Sequence, residues 1–146
     1  MLQTTVYNAV NKLTEIEKKE IIGFLHTHLG EYGDAKKDIK KAIDYSIKDF
    51  SSFGGFTLVL REENTIKGAV VVNQTGMNGY IPENILVYIA THSKHRGEGL
   101  GKLLMEKTID YTQGDIALHV EKDNPARFLY ERFGFTNPYL EMRLKK

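Results

Sequence analysis

The spacing of apolar and polar positions along this chain changes several times, and each change marks an element. Residues 3–10, with Thr4, Thr5, Val6, Tyr7 and Val10, suit a short strand. Thr14 and Glu17 have the form of a capping box, in which each side chain serves the other's backbone amide, so a helix is expected to begin there. Ile16, Ile21, Phe24, Leu25 and Leu29 keep one apolar face as far as a stop at Gly30. A second helix is expected over 34–50, with Ala35, Ile39, Ala42, Ile43, Ile47 and Phe50 at helical spacing. From residue 53 the period becomes that of strands, over 56–61 and 66–73 around a turn, and then over 81–91. Residues 85–90 are apolar throughout, which suits a central strand covered on both faces. A helix over 98–112, a buried strand over 115–120 and a helix over 124–132, with Pro125 in its first turn, follow. A hairpin of 133–136 and 139–143 across Asn137-Pro138 is expected to close the chain.

Where the apolar run ends and the next helical period begins stands His95-Arg96-Gly97-Glu98-Gly99-Leu100-Gly101-Lys102. Alternating glycines allow successive amides to turn toward one anion, and a helix starting there adds its unpaired first-turn N–H groups and dipole. The stretch is therefore expected to cradle a phosphate. It is not a P-loop, because Gly101-Lys102 is followed by Leu103 and no glycine stands five before Gly101. Nor is it a dinucleotide fingerprint, since the third glycine position falls on Lys102 or Leu104.

Composition narrows the chemistry. With 146 residues and 41% hydrophobic content, one domain spanning 1–146 with its own core is expected. Lys and Arg number 20 against 19 Asp and Glu, a net charge of +1 that gives no general attraction to nucleic acid or to an anionic membrane. The lysines of the second helix interleave with Asp34, Asp38, Asp44 and Asp49, as on a solvated face. The absence of cysteine excludes a thiolate metal site and an enzyme-bound thioester. His26 and His28 are two positions apart and face different ways, so no metal site is expected from them. No leader or long apolar segment is evident at the N-terminus, and a soluble, cytoplasmic protein is expected.

Arg96-x-x-Gly99-x-Gly101 between a strand and a helix resembles the acetyl-CoA pyrophosphate loop of the GCN5-related N-acetyltransferase (GNAT) family. A second stretch, from Asn124-Pro125-Ala126 through Leu129-Tyr130-Glu131 to Gly134-Phe135, closely resembles that family's C-terminal signature. The order strand, helix, helix, three strands, helix, strand, helix, two strands matches as well. The resemblance implies an α/β fold with a central mixed sheet flanked by helices. It implies direct transfer of an acetyl group from acetyl-CoA to a primary amine in a ternary complex, with no metal.

By the same resemblance, acetyl-CoA lies where the strands over 81–91 and 115–120 part. Ile89 and Thr91 bond its pantetheine arm, and the amides from Gly97 through Gly99, Leu100 and Gly101 to Lys102 hold its pyrophosphate. Arg96 or Lys102 supplies positive charge, and Asn124 bonds the cofactor or caps the last helix. Tyr130 is expected to be the general acid at the leaving sulfur. Glu83 is the candidate base, with Tyr88, His92 and His119 as alternatives. The acceptor side is expected to be open, or roofed by Tyr32, Tyr80 or the second subunit of a homodimer. The rival readings are a non-catalytic acyl-CoA-binding domain and an acyltransferase using a longer acyl donor.

Overall fold

A computed structural model describes residues 1–146. Its elements are β1 (Leu2–Tyr7), α1 (Glu15–Leu29), α2 (Lys36–Ser46), β2 (Gly55–Glu62), β3 (Thr65–Gln74), β4 (Asn84–Thr91), α3 (Leu100–Tyr111), β5 (Ile116–Leu118) and α4 (Arg127–Arg132). Short 3₁₀ turns occupy Gly30–Tyr32 and Ser93–His95. The strands form one five-stranded sheet in chain order. Its pairs are antiparallel from β1 to β4, and β5 lies parallel to β4. No helix is long and apolar enough to cross a membrane.

Helices cover both sheet faces, and successive residues of the middle strands serve opposite cores. Val59, Ala69 and Val71 meet α1 and α2 through Ile21, Phe24, Leu25, Ile39 and Ile43. Leu58, Leu60, Val70 and Val72 meet Leu104, Met105 and Tyr130 on the other side. Buried on both faces, β2 and β3 read as nearly unbroken apolar runs.

The α1 capping box forms as expected: Thr14 Oγ1 accepts from the Glu17 amide at 3.1 Å and Glu17 Oε1 from the Thr14 amide at 2.9 Å. The inner face of α1 departs from the periodic reading. Ile16 is 84% exposed, whereas Lys18 is 3% exposed. The Lys18 ammonium lies 2.8 Å from Asp44 Oδ1 and 2.6 Å from Asp49 Oδ2, so the first turn of α1 is tied to the last turn of α2 and the residues beyond it. Burial alone would lower the Lys18 pKa, but the carboxylates of Asp44, Asp49 and Glu15 raise it overall. The second helix is shorter than the expected 34–50, because Lys48 adopts a left-handed φ of 58° just beyond it.

The expected closing hairpin does not form, and the sheet ends at β5. Gly134, with φ 96°, stops α4, and the last backbone hydrogen bond runs from the Phe135 amide to Tyr130. A further strand needs a ladder to pair with, and β5 offers three residues. Pro138 also removes one donor. Tyr139, Leu140, Met142 and Leu144 are left more than four-fifths exposed, at 85%, 84%, 90% and 83%.

Candidate active site

The site is built on a defect in β4. Val71 pairs with Tyr88 and Val72 with Leu86, so Val87 is an extra residue in the strand. Leu86 consequently packs toward α3 while Tyr88, two positions on, packs toward α1 and α2. The bulge also reverses the sense of the backbone. N–H groups of a strand point alternately to its two neighbours. Asn84 and His92, an even number of positions apart, would point the same way in a regular strand. Instead the Asn84 amide donates to Asp115, before β5, at 3.1 Å, and the His92 amide donates to Lys67 of β3 at 2.9 Å. By that alternation the amides of Ile89 and Thr91 face away from β3.

No strand lies on that side. The pairing of β4 with β5 covers only Asn84 with Ile116, Ile85 with Ala117 and Leu86 with Leu118. Beyond Leu86 the two strands part into a fork, and the upper half of β4 presents an unpaired edge. Such an edge accepts an extended, amide-bearing chain as a further strand would.

The edge leads into the glycine loop. Gly97 and Gly99 have φ of 86° and 81°, left-handed values that allow the chain to turn into α3 without a side chain in the way. Gly99 is the N-cap of α3 and uses no side-chain cap, so the first-turn amides remain available. Gly101 serves packing: a Cβ there would lie 3.3 Å from Leu129 Cδ2. The loop, with Thr91, His95, Leu129 and Arg132, lines a cavity of about 270 Å³ containing Arg96, Gly97, Gly99, Leu100, Gly101 and Lys102. Its lining includes three cations and no carboxylate. A larger hollow of about 370 Å³ between α1 and the β2–β3 turn contains Glu20 and neither Lys nor Arg, so it suits an anion less well.

Histidines hold the loop in place. His28 Nδ1 accepts from the Ser93 amide at 3.1 Å and His92 Nδ1 from the Lys94 amide at 3.2 Å. The two rings lie 4.3 Å apart. Burial, followed by the nearby charges of His92 and Arg96, lowers the His28 pKa; burial, then His95 and Lys67, lowers that of His92. A ring nitrogen that accepts carries no proton, so the bonds and the shifts agree in direction. His95 bridges Lys67 Nζ at 2.8 Å and Glu98 Oε2 at 3.1 Å.

The remaining expected residues divide by place. Arg96 lines the cavity, but its guanidinium also donates to the His28 carbonyl at 3.0 Å, tying the loop to the end of α1. Lys102 is exposed, 4.0 Å from Glu106. Asn124 Oδ1 accepts from the Ala126 amide at 2.9 Å and so organises the entry to α4. Tyr130 is 7% exposed in the core beneath α3, and burial pushes its phenol up to about 12. Glu83 sits at the paired end of β4. Its carboxylate accepts from the Asp115 amide at 2.9 Å, and this bond holds its pKa below the usual range. His119 is exposed just beyond β5.

Leu129 and Arg132 were not among the expected site residues, and His95, which opens the stretch expected to cradle a phosphate, was given no role of its own. Leu129 and Arg132 are three apart on α4 and share a face, so helical spacing alone pairs them once Leu129 is placed against Gly101.

Comparison with known proteins bears on the whole chain. A 5-NmdU N-acetyltransferase of Pseudomonas phage PaMx11 is 29% identical over 129 residues, covering 87% of this chain and 86% of that protein. PH1933 of Pyrococcus horikoshii OT3 shares the fold with a TM-score of 0.70 at 22% identity, over 96% of this chain and 93% of that one. A predicted acetyltransferase of Clostridium acetobutylicum, whose structure contains acetyl-CoA, gives 0.67 at 14% identity over 98% and 96%. Residues 54–137, which contain the bulged strand, the glycine loop and Tyr130, match the family described as the acetyltransferase (GNAT) domain, and to that family the chain belongs.

Proposed function

We propose that the chain is a single-domain N-acetyltransferase that moves the acetyl group of acetyl-CoA directly to a primary amine. The observation that carries this reading is the unpaired upper edge of β4, which runs straight into the glycine loop. The residues present fit acetyl-CoA: an open amide edge suits its amide-bearing arm, and positive-φ glycines with a helix start suit its pyrophosphate. Family membership and the phage relative support acyl transfer to nitrogen.

Acetyl-CoA supplies an acetyl thioester whose sulfur departs with a proton. In this reading the amides of Ile89 and Thr91 fix the arm, and those of Gly97 through Lys102 hold the diphosphate with Arg132 and Lys102 beside them. Holding amine and thioester in register contributes about 7–11 kcal/mol to lowering the barrier, more than any one side chain. Tyr130 keeps its proton to high pH and donates it toward the departing sulfur. Glu83 is assigned a different part from the base first expected of it. Engaged by the Asp115 amide at the closed end of the fork, it pins β4 to the start of β5. An alkyl amine is neutral in only about one molecule in a few thousand at pH 7, and its proton leaves through water at the open mouth.

Calorimetric titration with acetyl-CoA, with ATP and NAD as controls, tests the reading. Binding of acetyl-CoA alone, followed by thiol release when an amine is added, is the expected result. Folded protein that binds no acetyl-CoA overturns it.

A further inference from the structure

The turn that joins β4 to the glycine loop is held by rings that must be unprotonated to hold it. The Ser93 amide donates to His28 Nδ1 at 3.1 Å, and the Lys94 amide to His92 Nδ1 at 3.2 Å. His28 also offers its carbonyl, which accepts from the Arg96 guanidinium at 3.0 Å. One residue near the end of α1 thus fixes two points of the segment that leads into Gly97. Both rings are half-buried and lie 4.3 Å apart, with Phe24 against His28 at 4.5 Å.

A proton on either Nδ1 turns an acceptor into a donor that faces another donor. It also sets an imidazolium among cations. His28 faces His92 and Arg96, while His92 faces His28, His95, Lys94 of its own turn and Lys67 of β3. His95 Nε2 accepts from the Lys67 ammonium at 2.8 Å, and its Nδ1 meets Glu98 at 3.1 Å. Of the nearby carboxylates, Glu98 is engaged by His95, and Glu20, which lines the same hollow as both rings, by Arg61 at 3.0 Å. The negative end of α1 favours a charged His28, but the Arg96 guanidinium already meets it there. Burial first, then these neighbours, lowers the pKa of both rings. The bonds are therefore complete above about pH 6.5, the ordinary histidine value, and weaken as pH falls from there to the two lowered values.

We propose that His28 and His92 form an acid-sensitive latch on the glycine loop, closed when both rings are neutral and released when they are protonated, so that acetyl-CoA affinity falls on acidification. This rests on the acetyl-transfer reading above. Neither ring lines the phosphate cavity, so the charges gained lie outside it, whereas the loop whose anchorage is lost forms the cavity's wall.

The test is the ratio of acetyl-CoA dissociation constants at about pH 5 and about pH 8, measured by calorimetry within each of wild type, His28→Asn, His92→Asn and the double variant. Folding is checked at both pH values by circular dichroism. Asn places an acceptor oxygen near the position of Nδ1 and takes no proton in this range. The terminal phosphate of acetyl-CoA titrates near pH 6 as well, and its effect is common to all four proteins. In wild type the constant is expected to rise by about tenfold or more on acidification, and in the double variant by less than about threefold, with the single variants between them. A double variant as steep as wild type overturns the latch. So does a wild type whose affinity is unchanged or higher at the lower pH. Should the double variant not fold, two single variants each as steep as wild type overturn it as well. Failure of wild type to bind acetyl-CoA at the higher pH overturns the underlying functional reading instead.

Discussion

The two halves of β4 are both mostly apolar and have opposite fates. Asn84 to Leu86 is paired on both sides, by β3 and by β5. Its flanking side chains reinforce that closure: Asn84 Nδ2 donates to Gln113 at 2.6 Å, and Glu83 takes the Asp115 amide. Val87 to Thr91 is paired on one side only. Between the halves lies one extra residue. The comparison teaches that the apolar run determines where the strand is buried, while the bulge determines where its backbone is free to recognise something else.

The comparison breaks most sharply at the loop. Gly99→Glu places a side chain on a residue with φ 81° and a carboxylate beside the cavity. Acetyl-CoA affinity is expected to fall by more than about a hundredfold in a protein that still folds, as measured by calorimetry beside circular dichroism. Affinity equal to wild type would separate the cavity from the cofactor.

Lys18→Met perturbs the region farthest in kind from the fork. Removing the ammonium leaves Asp44 to Lys40 and Asp49 to Lys12, and stability is expected to drop by about 2 kcal/mol in urea unfolding, with activity per folded molecule unchanged. The pH dependence follows in sign. Asp49 is held below its usual value, first by its bond to Lys18, so its contribution is present above about pH 3.9 and is lost as pH falls through the lowered value. The Lys18 pKa is raised, so its contribution is full below about pH 10.4 and is lost above that. Both losses should be smaller in the variant.

Tyr130→Phe is expected to lower kcat by more than about tenfold with acetyl-CoA affinity nearly unchanged. With its phenol pushed up to about 12, wild-type kcat should show no loss from tyrosine ionisation near pH 10. Equal turnover in the two proteins would remove Tyr130 from the chemistry. The smallest effect belongs to the closed half: Glu83→Gln keeps kcat within about twofold and leaves the pH–rate profile in place, with only a loss of stability at neutral pH. A profile that moves would return Glu83 to the base.

Much of this arrangement was legible in the chain. The capping box at Thr14 and Glu17, the apolar run of β4 and the glycines before α3 are local patterns with local causes. What could not be read depends on residues brought together from a distance. Ile16 faces solvent and Lys18 the interior because the carboxylates that accept Lys18 stand on and beyond another helix. The bulge at Val87 adds nothing to the composition of an unbroken apolar run, so only the register against β3 discloses it. Arg96 lines the cavity, and its bond to the His28 carbonyl depends on where α1 ends. The missing last hairpin reflects the brevity of β5, which offers too little ladder whatever alternation the following residues carry.

The Lys18 knot also sets how the molecule can move. It clamps α1 and α2 together at one end, and the link from Gly30 to Ala35 joins them at the other, so the pair behaves as a frame riveted at its base. Such a frame resists sliding of one helix along the other. Its soft motion is a bowing of the link about Gly30, whose φ is 58°. Motions of short links take nanoseconds to microseconds, whereas enzymes commonly turn over 1 to 1,000 times a second. Bowing of the link is therefore expected to be faster than turnover in the proposed reaction.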